Sequence, residues 1–419
     1  MDALSAGAMI DATIAPHDAG HVAWHAVVVG AGPAGAAAAI RLAAHGLRTL
    51  LVDRHHFPRD KVCGCCLSRR ALDELDRLGA SSLPADAVPL AAVRLAHRGR
   101  WARLPLPAGR VVSRAALDAA LVRQAIAAGA HWLPGVQVAA LDDTAARPEG
   151  AVSVVLRPEA GASADSVSIE AALVVLAGGL VEHVRIGSPE TTGRIRAHRI
   201  APGSRLGVGG ILPATTCALP AGELVMAVGR QGYCGVVRLE DGRIDVAAAV
   251  DRGALAPHAD PARAIADILG EPGPRPAGLL PDRDTLLAAT FRVTPALTRH
   301  APLVADGSGR ILRSGDTAAY VEPFTGEGIG WALSSSRILA TAVLGPTGLL
   351  PPAAGAARYL AGHRRAFGPV HARCRFVAAV LRHPRAVSAA VAVARAMPWA
   401  ARRILPAVVG AGATVPGVR

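Results

Sequence analysis

Lysine is almost missing from this chain: of 45 basic residues all but Lys61 are arginine. Aromatic residues are scarce too, at 3%. That excludes a surface of interleaved aromatics for stacking bases, and no nucleic-acid partner is expected. Acidic residues stop at Glu327; residues 328–419 hold 12 Arg and no Asp or Glu, whereas residues 1–327 hold 33 basic and 32 acidic side chains. The formal charge of +13 therefore belongs almost wholly to the C-terminal quarter. No apolar run reaches the ~18 residues expected of a membrane span, and the start of the chain carries Asp2 and no basic n-region. These absences predict a cytoplasmic protein with free thiols. Of six Cys, the cluster Cys63, Cys65 and Cys66 lacks the Cys-x-x-Cys spacing of zinc sites, and no metal is expected.

What is present begins at His25-Ala-Val-Val-Val-Gly30, which reads as a buried strand. An Ala-rich helix over 33–45 follows and ends at Gly46; Arg48 to Val52 is a second apolar strand, closed by Asp53. The turn between them is Gly30-Ala31-Gly32-Pro33-Ala34-Gly35. Gly30 permits the tight turn, Gly32 lets backbone approach a pyrophosphate, and Gly35 lets the helix lie close on the sheet. A diphosphate then sits at a helix N-terminus, where free N–H groups and the dipole favour anions. Asp53 is placed to accept hydrogen bonds from a ribose. On spacing alone this unit says "dinucleotide" and does not separate FAD from NAD.

Farther on, Ser68 caps a helix over 68–79 and Ser113 caps one over 113–129, where Leu117, Leu121 and Ala125 recur at spacing four. Strands are predicted at 173–176 and 310–314, and at 235–239 and 244–247 across an Asp241-Gly242 turn. A helix covers 327–343, and the chain is helical from 353 with breaks near Pro384 and Pro398. The order predicts an α/β fold: a discontinuous Rossmann-like domain with an inserted, mainly antiparallel β substrate domain and a C-terminal helical segment. The expected bounds are a flexible lead-in at 1–24, a cofactor domain at 25–180 and 290–345, a substrate domain at 181–289, and a basic helical segment at 346–419.

Three motifs together resemble the flavoprotein superfamily of geranylgeranyl reductases and single-component aromatic hydroxylases. They are the glycine turn, the loop Arg59-Asp-Lys61-Val-Cys63-Gly64, and Gly315-Asp316-Thr-Ala-Ala-Tyr-Val-Glu322-Pro323-Phe-Thr-Gly326-Glu-Gly328-Ile329. The loop is similar to that of the geranylgeranyl reductase branch. The resemblance implies that FAD is the cofactor, with NAD(P)H as a candidate electron donor. It implies that Asp316, following Gly315, binds the ribityl chain, and that Gly326, Gly328 and Ile329 bring a helix start to the pyrimidine edge of the flavin. It places Arg114 at the diphosphate and Val138 at the adenine. Pro33, Ala34, Arg54 and Arg59 complete the expected cofactor-binding set.

Lys61 and Cys63 are the candidate catalytic residues of this loop, and Tyr233, in Gln231-Gly-Tyr-Cys-Gly235, is a third on the expected substrate wall. Each also has a structural reading: a surface lysine, a small buried hydrophobe, a half-buried strand tyrosine. Tyr320 is a similar candidate; Cys65 and Cys66 read as structural. The chain departs from the hydroxylases at Ala177-Gly178-Gly179, where they carry an Asp-Gly pair. It also lacks the Pro-x-x-Tyr-x-Trp-x-Phe-Pro segment of prenyl reductases and the Trp-x-Trp-x-Ile-Pro motif of flavin halogenases. The expected activity is FAD-dependent reduction of a C=C bond in a hydrophobic small molecule. The rival is an FAD-dependent monooxygenase of an aromatic or polyketide substrate, and a redox-inert FAD-binding protein is the third reading. The arginine-rich helices over 353–408 read either as a membrane-surface patch on the cytoplasmic face or as a cap whose arginines pair with acids of the main body.

Overall fold

Val27 and Val28 suit a strand covered on both faces, and Ala23–Val29 forms the central strand β1 of the first sheet. This computed structural model describes residues 8–397 and 399, apart from 80–85, 143–149, 159–165, 182–183, 188–197, 256–259, 272, 274–277, 323 and 325. Helix α1 (Pro33–Ala44) starts on a proline, whose missing N–H costs nothing at that position, and buries its alanines against the sheet. Strand β2 (Thr49–Asp53) completes the crossover.

The chain continues through α2 (Arg69–Arg77), β3 (Val88–His97), β4 (Arg100–Val111), α3 (Arg114–Ala127), β5 (His131–Pro134), β6 (Val136–Asp142), β7 (Val152–Pro158) and β8 (Val167–Leu176). Then come β9 (Leu206–Leu212), β10 (Glu223–Gly229), β11 (Gly232–Arg238), β12 (Ile244–Val250), α4 (Pro261–Gly270), β13 (Arg292–Ala296), β14 (Ile311–Arg313), α5 (Gly328–Val343), α6 (Pro352–Val380) and α7 (Pro384–Ala396). The serine caps act as the sequence predicts. The Ser68 side chain accepts the Ala71 N–H, and the Ser113 side chain accepts the Ala116 N–H.

The first sheet runs Arg185–Ile186, β6, β7, β8, β1, β2, β5. Its β8–β1–β2–β5 part is parallel, as helical crossovers require. Strand β14 returns late in the chain to lie parallel to β8, pairing Ile311 with Val174. The cofactor domain is therefore discontinuous, as expected.

The second sheet runs β13, β9, β12, β11, β10, β3, β4 and Cys66–Leu67, antiparallel except for the β10–β3 pair. It draws in 66–67, 88–111 and 292–296, beyond the 181–289 span that chain order suggests. The β3–β4 hairpin is a local unit that turns at Arg98 and Gly99, both with positive φ, and nothing in its own sequence fixes the sheet it joins.

Residues 8–24 are not a loose lead-in. Ile10 is buried, its N–H donates to the Phe57 carbonyl at 2.9 Å, and its carbonyl accepts the Trp132 indole N–H. Contact with a buried tryptophan orders a stretch that has no periodicity to announce it.

At the other end, α6 and α7 meet at 102°. Pro384 opens the second helix, so the break falls just before it. Among the described residues no single helix is long and apolar enough to cross a membrane; this bent pair passes on length and composition only. Helix α7 buries Val387, Val391 and Ala394 in the apolar cluster that includes Val93 and Leu104 of the second sheet. Pro398 and residues 401–408 of the expected basic segment lie outside the described residues.

Candidate active site

A cavity of about 870 Å³ lies between the two sheets. Its polar end is the glycine turn. A Cβ on Gly35 would fall 1.8 Å from the Gly30 carbonyl oxygen, so no larger residue fits while α1 lies this close to the sheet. Gly30 itself has φ +99 and abuts the Ala177 backbone. Gly32 faces open space, with only the Arg114 guanidinium near it, and leaves the cradle a diphosphate needs.

Asp53, at the end of β2, accepts the Ala31 N–H at 2.8 Å and the His55 N–H at 2.9 Å. Burial alone would raise its pKa, but the His55 hydrogen bond and the nearby Arg59 hold the carboxyl below its ordinary range. Arg114 opens α3 and makes a two-pronged ion pair with Asp118, at 2.9 and 2.7 Å; Arg59 stands 3.7 Å from the same carboxylate.

The three motifs converge. Gly30, Gly32, Pro33, Ala34, Asp53, Arg54, Arg59, Lys61, Cys63, Arg114, Val138, Asp316, Gly326, Gly328 and Ile329 all line this cavity. Gly35 and Gly315 do not; they act one layer back. A Cβ on Gly315 would press on Ala34 at 2.7 Å, so this glycine lets the Asp316 loop dock on α1. Pro323, inside the third motif, lies outside the described residues.

Lys61 stands beside the turn Ala177-Gly178-Gly179. Its Nζ lies 2.8 Å from the point a Cβ on Gly179 would occupy. Burial, then Arg114 and Arg59, bring the ammonium down to about 8, while Asp316 and Asp118 work against them. Asp316 moves the other way: burial lifts it to about 6 despite the charges of Lys61 and Arg114.

The far end of the cavity is apolar. Leu95, Leu104, Leu224, Met226 and Val228 of the second sheet face Val377, Leu381, Val387 and Val391 of the C-terminal helices. Tyr233 sits on this wall, buried, with its ring edge-on to Phe324 at 5.1 Å and Arg205 over its face at 5.5 Å. Its hydroxyl has no hydrogen-bond partner among the described residues. Burial and Glu322 raise its pKa well above the usual tyrosine value, so the group holds its proton. Tyr320 lies beside Gly328 and is raised for the same first reason.

Asp245 is not among the residues the sequence reading singles out. This carboxyl on β12 is 4% exposed, lines the cavity, and leaves Oδ2 without a partner among the described residues. Burial and the Cys63 thiolate push its pKa well up. An acid in the otherwise apolar Ile244-Asp-Val-Ala-Ala-Ala-Val250 is the one available signal.

The C-terminal helices also carry part of the polar frame. Arg205 pairs with Asp251 at 2.9 Å and with Glu322 at 3.3 Å, and Arg382 reaches the same two acids at 3.3 and 3.4 Å. At Arg382, then, the basic segment behaves as the cap that pairs with acids of the main body.

Residues 24–185 match the FAD binding domain family. The chain is 28% identical over 333 residues, 75% of each chain, to a menaquinone reductase of Mycolicibacterium smegmatis. In fold it is similar to a flavin-dependent brominase (TM-score 0.70, 14% identity, 93% of this chain and 94% of that one). It is also similar to p-nitrophenol 4-monooxygenase from Pseudomonas putida (TM-score 0.64, 16% identity, 92% and 97%). The cofactor is FAD, and the chain is an FAD-dependent oxidoreductase.

Proposed function

We propose that this oxidoreductase acts on an extended hydrophobic small molecule. The carrying observation is the continuous cavity that runs from the glycine turn and Asp316 to the leucine and valine wall under α6 and α7. Such a site places an apolar substrate against the cofactor and keeps water away. The residues of the polar end would hold FAD: the open backbone at Gly32 takes the diphosphate, Asp53 the ribose, Asp316 the ribityl chain, and the start of α5 the pyrimidine edge. Bound FAD supplies two-electron chemistry. Tyr233 and Tyr320 hold protons at the apolar wall, and Lys61 presents a cation near Asp316.

Two reaction types are open to this site. The wider support now lies with the oxygen-dependent monooxygenase, the rival in the sequence reading, because the similar folds include a monooxygenase and a brominase. Reduction of a C=C bond, the first expectation, keeps a specific support: a relative that matches three quarters of the chain is named a menaquinone reductase. NAD(P)H is proposed as the electron donor for either.

One experiment separates the readings. FAD-loaded protein is reduced with dithionite and offered long-chain quinones and alkyl phenols, with and without oxygen. Reoxidation that needs oxygen and adds one oxygen atom to the phenol supports the monooxygenase. Anaerobic reoxidation with a saturated C–C product supports the reductase. No reoxidation by any acceptor would overturn both and leave the redox-inert protein.

A further inference from the structure

The face of the second sheet that floors the cavity is built mostly of small and apolar side chains, with one acid among them. Register puts Gly209, Ala247, Gly235 and Met226 side by side in one row across four strands. Ile211, Asp245, Val237 and Leu224 form the row two residues along. Strand alternation gives both rows the same face, and Asp245, Val237, Gly235 and Ala247 line the cavity. The loop that carries Lys61 and Cys63 docks beside them: Val62 Cγ1 lies 2.8 Å from the point a Cβ on Gly209 would occupy. Asp245 therefore stands where the cofactor end of the cavity meets its apolar wall.

The fold leaves this carboxyl without a counter-charge. Its Oδ2 has no hydrogen-bond partner among the described residues, and no arginine or lysine there pairs with it. Asp53, Asp118 and Glu322 are buried too, but each faces arginine. A β-branched apolar residue would suit the position better, since the rest of β12 is apolar from Ile244 to Val250. A charge left alone at such a depth is costly, so the acid keeps its proton and presents an O–H donor. Its raised pKa, caused first by burial, agrees.

We propose that Asp245 selects the substrate: its neutral carboxyl donates a hydrogen bond to a carbonyl oxygen of the hydrophobic molecule and fixes that oxygen at the boundary between cofactor and apolar wall. This rests on the reading of the cavity as the site of an apolar substrate and narrows that substrate to a carbonyl-bearing class. It holds whichever of the two reaction types is right.

The surroundings decide which ligand chemistry fits. An ionised Asp245 would call for a cationic ligand, but Arg54, Arg59, Lys61, Arg69, Arg114 and Arg292 outnumber the acids that line the cavity. A cation entering it meets a surplus of its own sign. A neutral oxygen acceptor meets no such barrier and satisfies the donor. The neighbours leave room for it: Gly235 and Ala247 present almost no side chain beside Asp245, and Val237 and Leu224 offer only apolar contact. A buried donor with no partner of its own also discriminates well, because a ligand that lacks the acceptor leaves it unpaired.

Three probes that differ at a single carbon test this: heptanophenone, heptylbenzene, and α-hexylbenzylamine, which carry C=O, CH2 and CH–NH3+ at that carbon. Their binding to the oxidised, FAD-loaded full-length protein is measured by equilibrium dialysis, and the flavin spectrum verifies that each variant keeps its cofactor. The wild type should bind the ketone about 10-fold more tightly than the hydrocarbon. Asp245→Val should lose that preference and still bind the hydrocarbon. Asp245→Asn, whose amide N–H still donates, should keep most of it, which a merely space-filling role would not require. Equal wild-type affinities for ketone and hydrocarbon would overturn the proposal and leave the apolar-substrate reading standing. A preference retained by Asp245→Val would do the same, as would tightest binding of the amine that Asp245→Asn abolishes. Binding of none of the three probes would overturn that reading and the proposal together.

Discussion

On the cofactor side of the cavity, Asp53 and Asp118 each face arginine, and Asp53 also accepts two backbone N–H groups. On the opposite side Asp245 and Tyr233 keep polar atoms with no partner among the described residues. The first wall is built mainly from backbone fit and ion pairs, with Arg59 Nε also lacking a partner among the described residues, and it suits a cofactor that must stay put. The second is an apolar surface with a few under-satisfied groups, which cost stability and are retained where chemistry or substrate can use them. Substitutions on the two walls should therefore fail in different ways.

The sharpest break lies at Gly35. Gly35→Val puts a branched side chain where even a Cβ meets the Gly30 oxygen at 1.8 Å. Overpacking against backbone should cost about 3 kcal/mol or more, and the purified protein should carry no flavin. A urea midpoint and a flavin spectrum check both; full flavin content would show that the wall yields. Next is Glu322, buried between Arg205 and Arg382. Glu322→Ala leaves the buried Arg205 with Asp251 alone and should lower stability by about 2 kcal/mol, whereas Arg382→Ala, at a half-exposed position, should cost under about 1 kcal/mol. Equal losses would mean that the anchor is the C-terminal helix rather than the buried charge.

Lys61 gives a pH signature. Its folded value is about 8, below the 10.5 of free lysine, so the unfolded chain binds the extra proton between those values. Stability of the flavin-free protein should then rise with pH across that window, and Lys61→Met should flatten the rise in urea titrations. The smallest effect concerns the outer surface. Phe376, Val393, Met397 and Trp399 remain exposed on or beside the C-terminal helices. If they meet anionic lipid, removing residues 384–419 should weaken salt-sensitive binding to phosphatidylserine vesicles; unchanged co-sedimentation would leave the cap as the whole account.

The first wall was legible in the sequence because its signals are local. A glycine turn between two apolar strands, Ser68 and Ser113 as caps, and Arg114 four residues before Asp118 each specify geometry within one or two turns. Much of the second wall was hidden. Nothing near Asp245 says that it lines the cavity, because that depends on which strands adjoin in the second sheet. The parallel β10–β3 pair, which carries the 88–111 hairpin into that sheet, is likewise a long-range choice. Lys61 falls between the two. Its rarity marked it, but its contact with Gly179 joins two loops far apart in sequence.

Helix α7 supplies Val387, Val391 and Ala394 to the cavity, whereas Asp316 and the 326–329 turn lie well upstream. A chain made from its N-terminus finishes the cradle before the last wall exists. Flavin can therefore be loaded into an open vessel during synthesis, and the arrival of α7 puts the lid on afterwards.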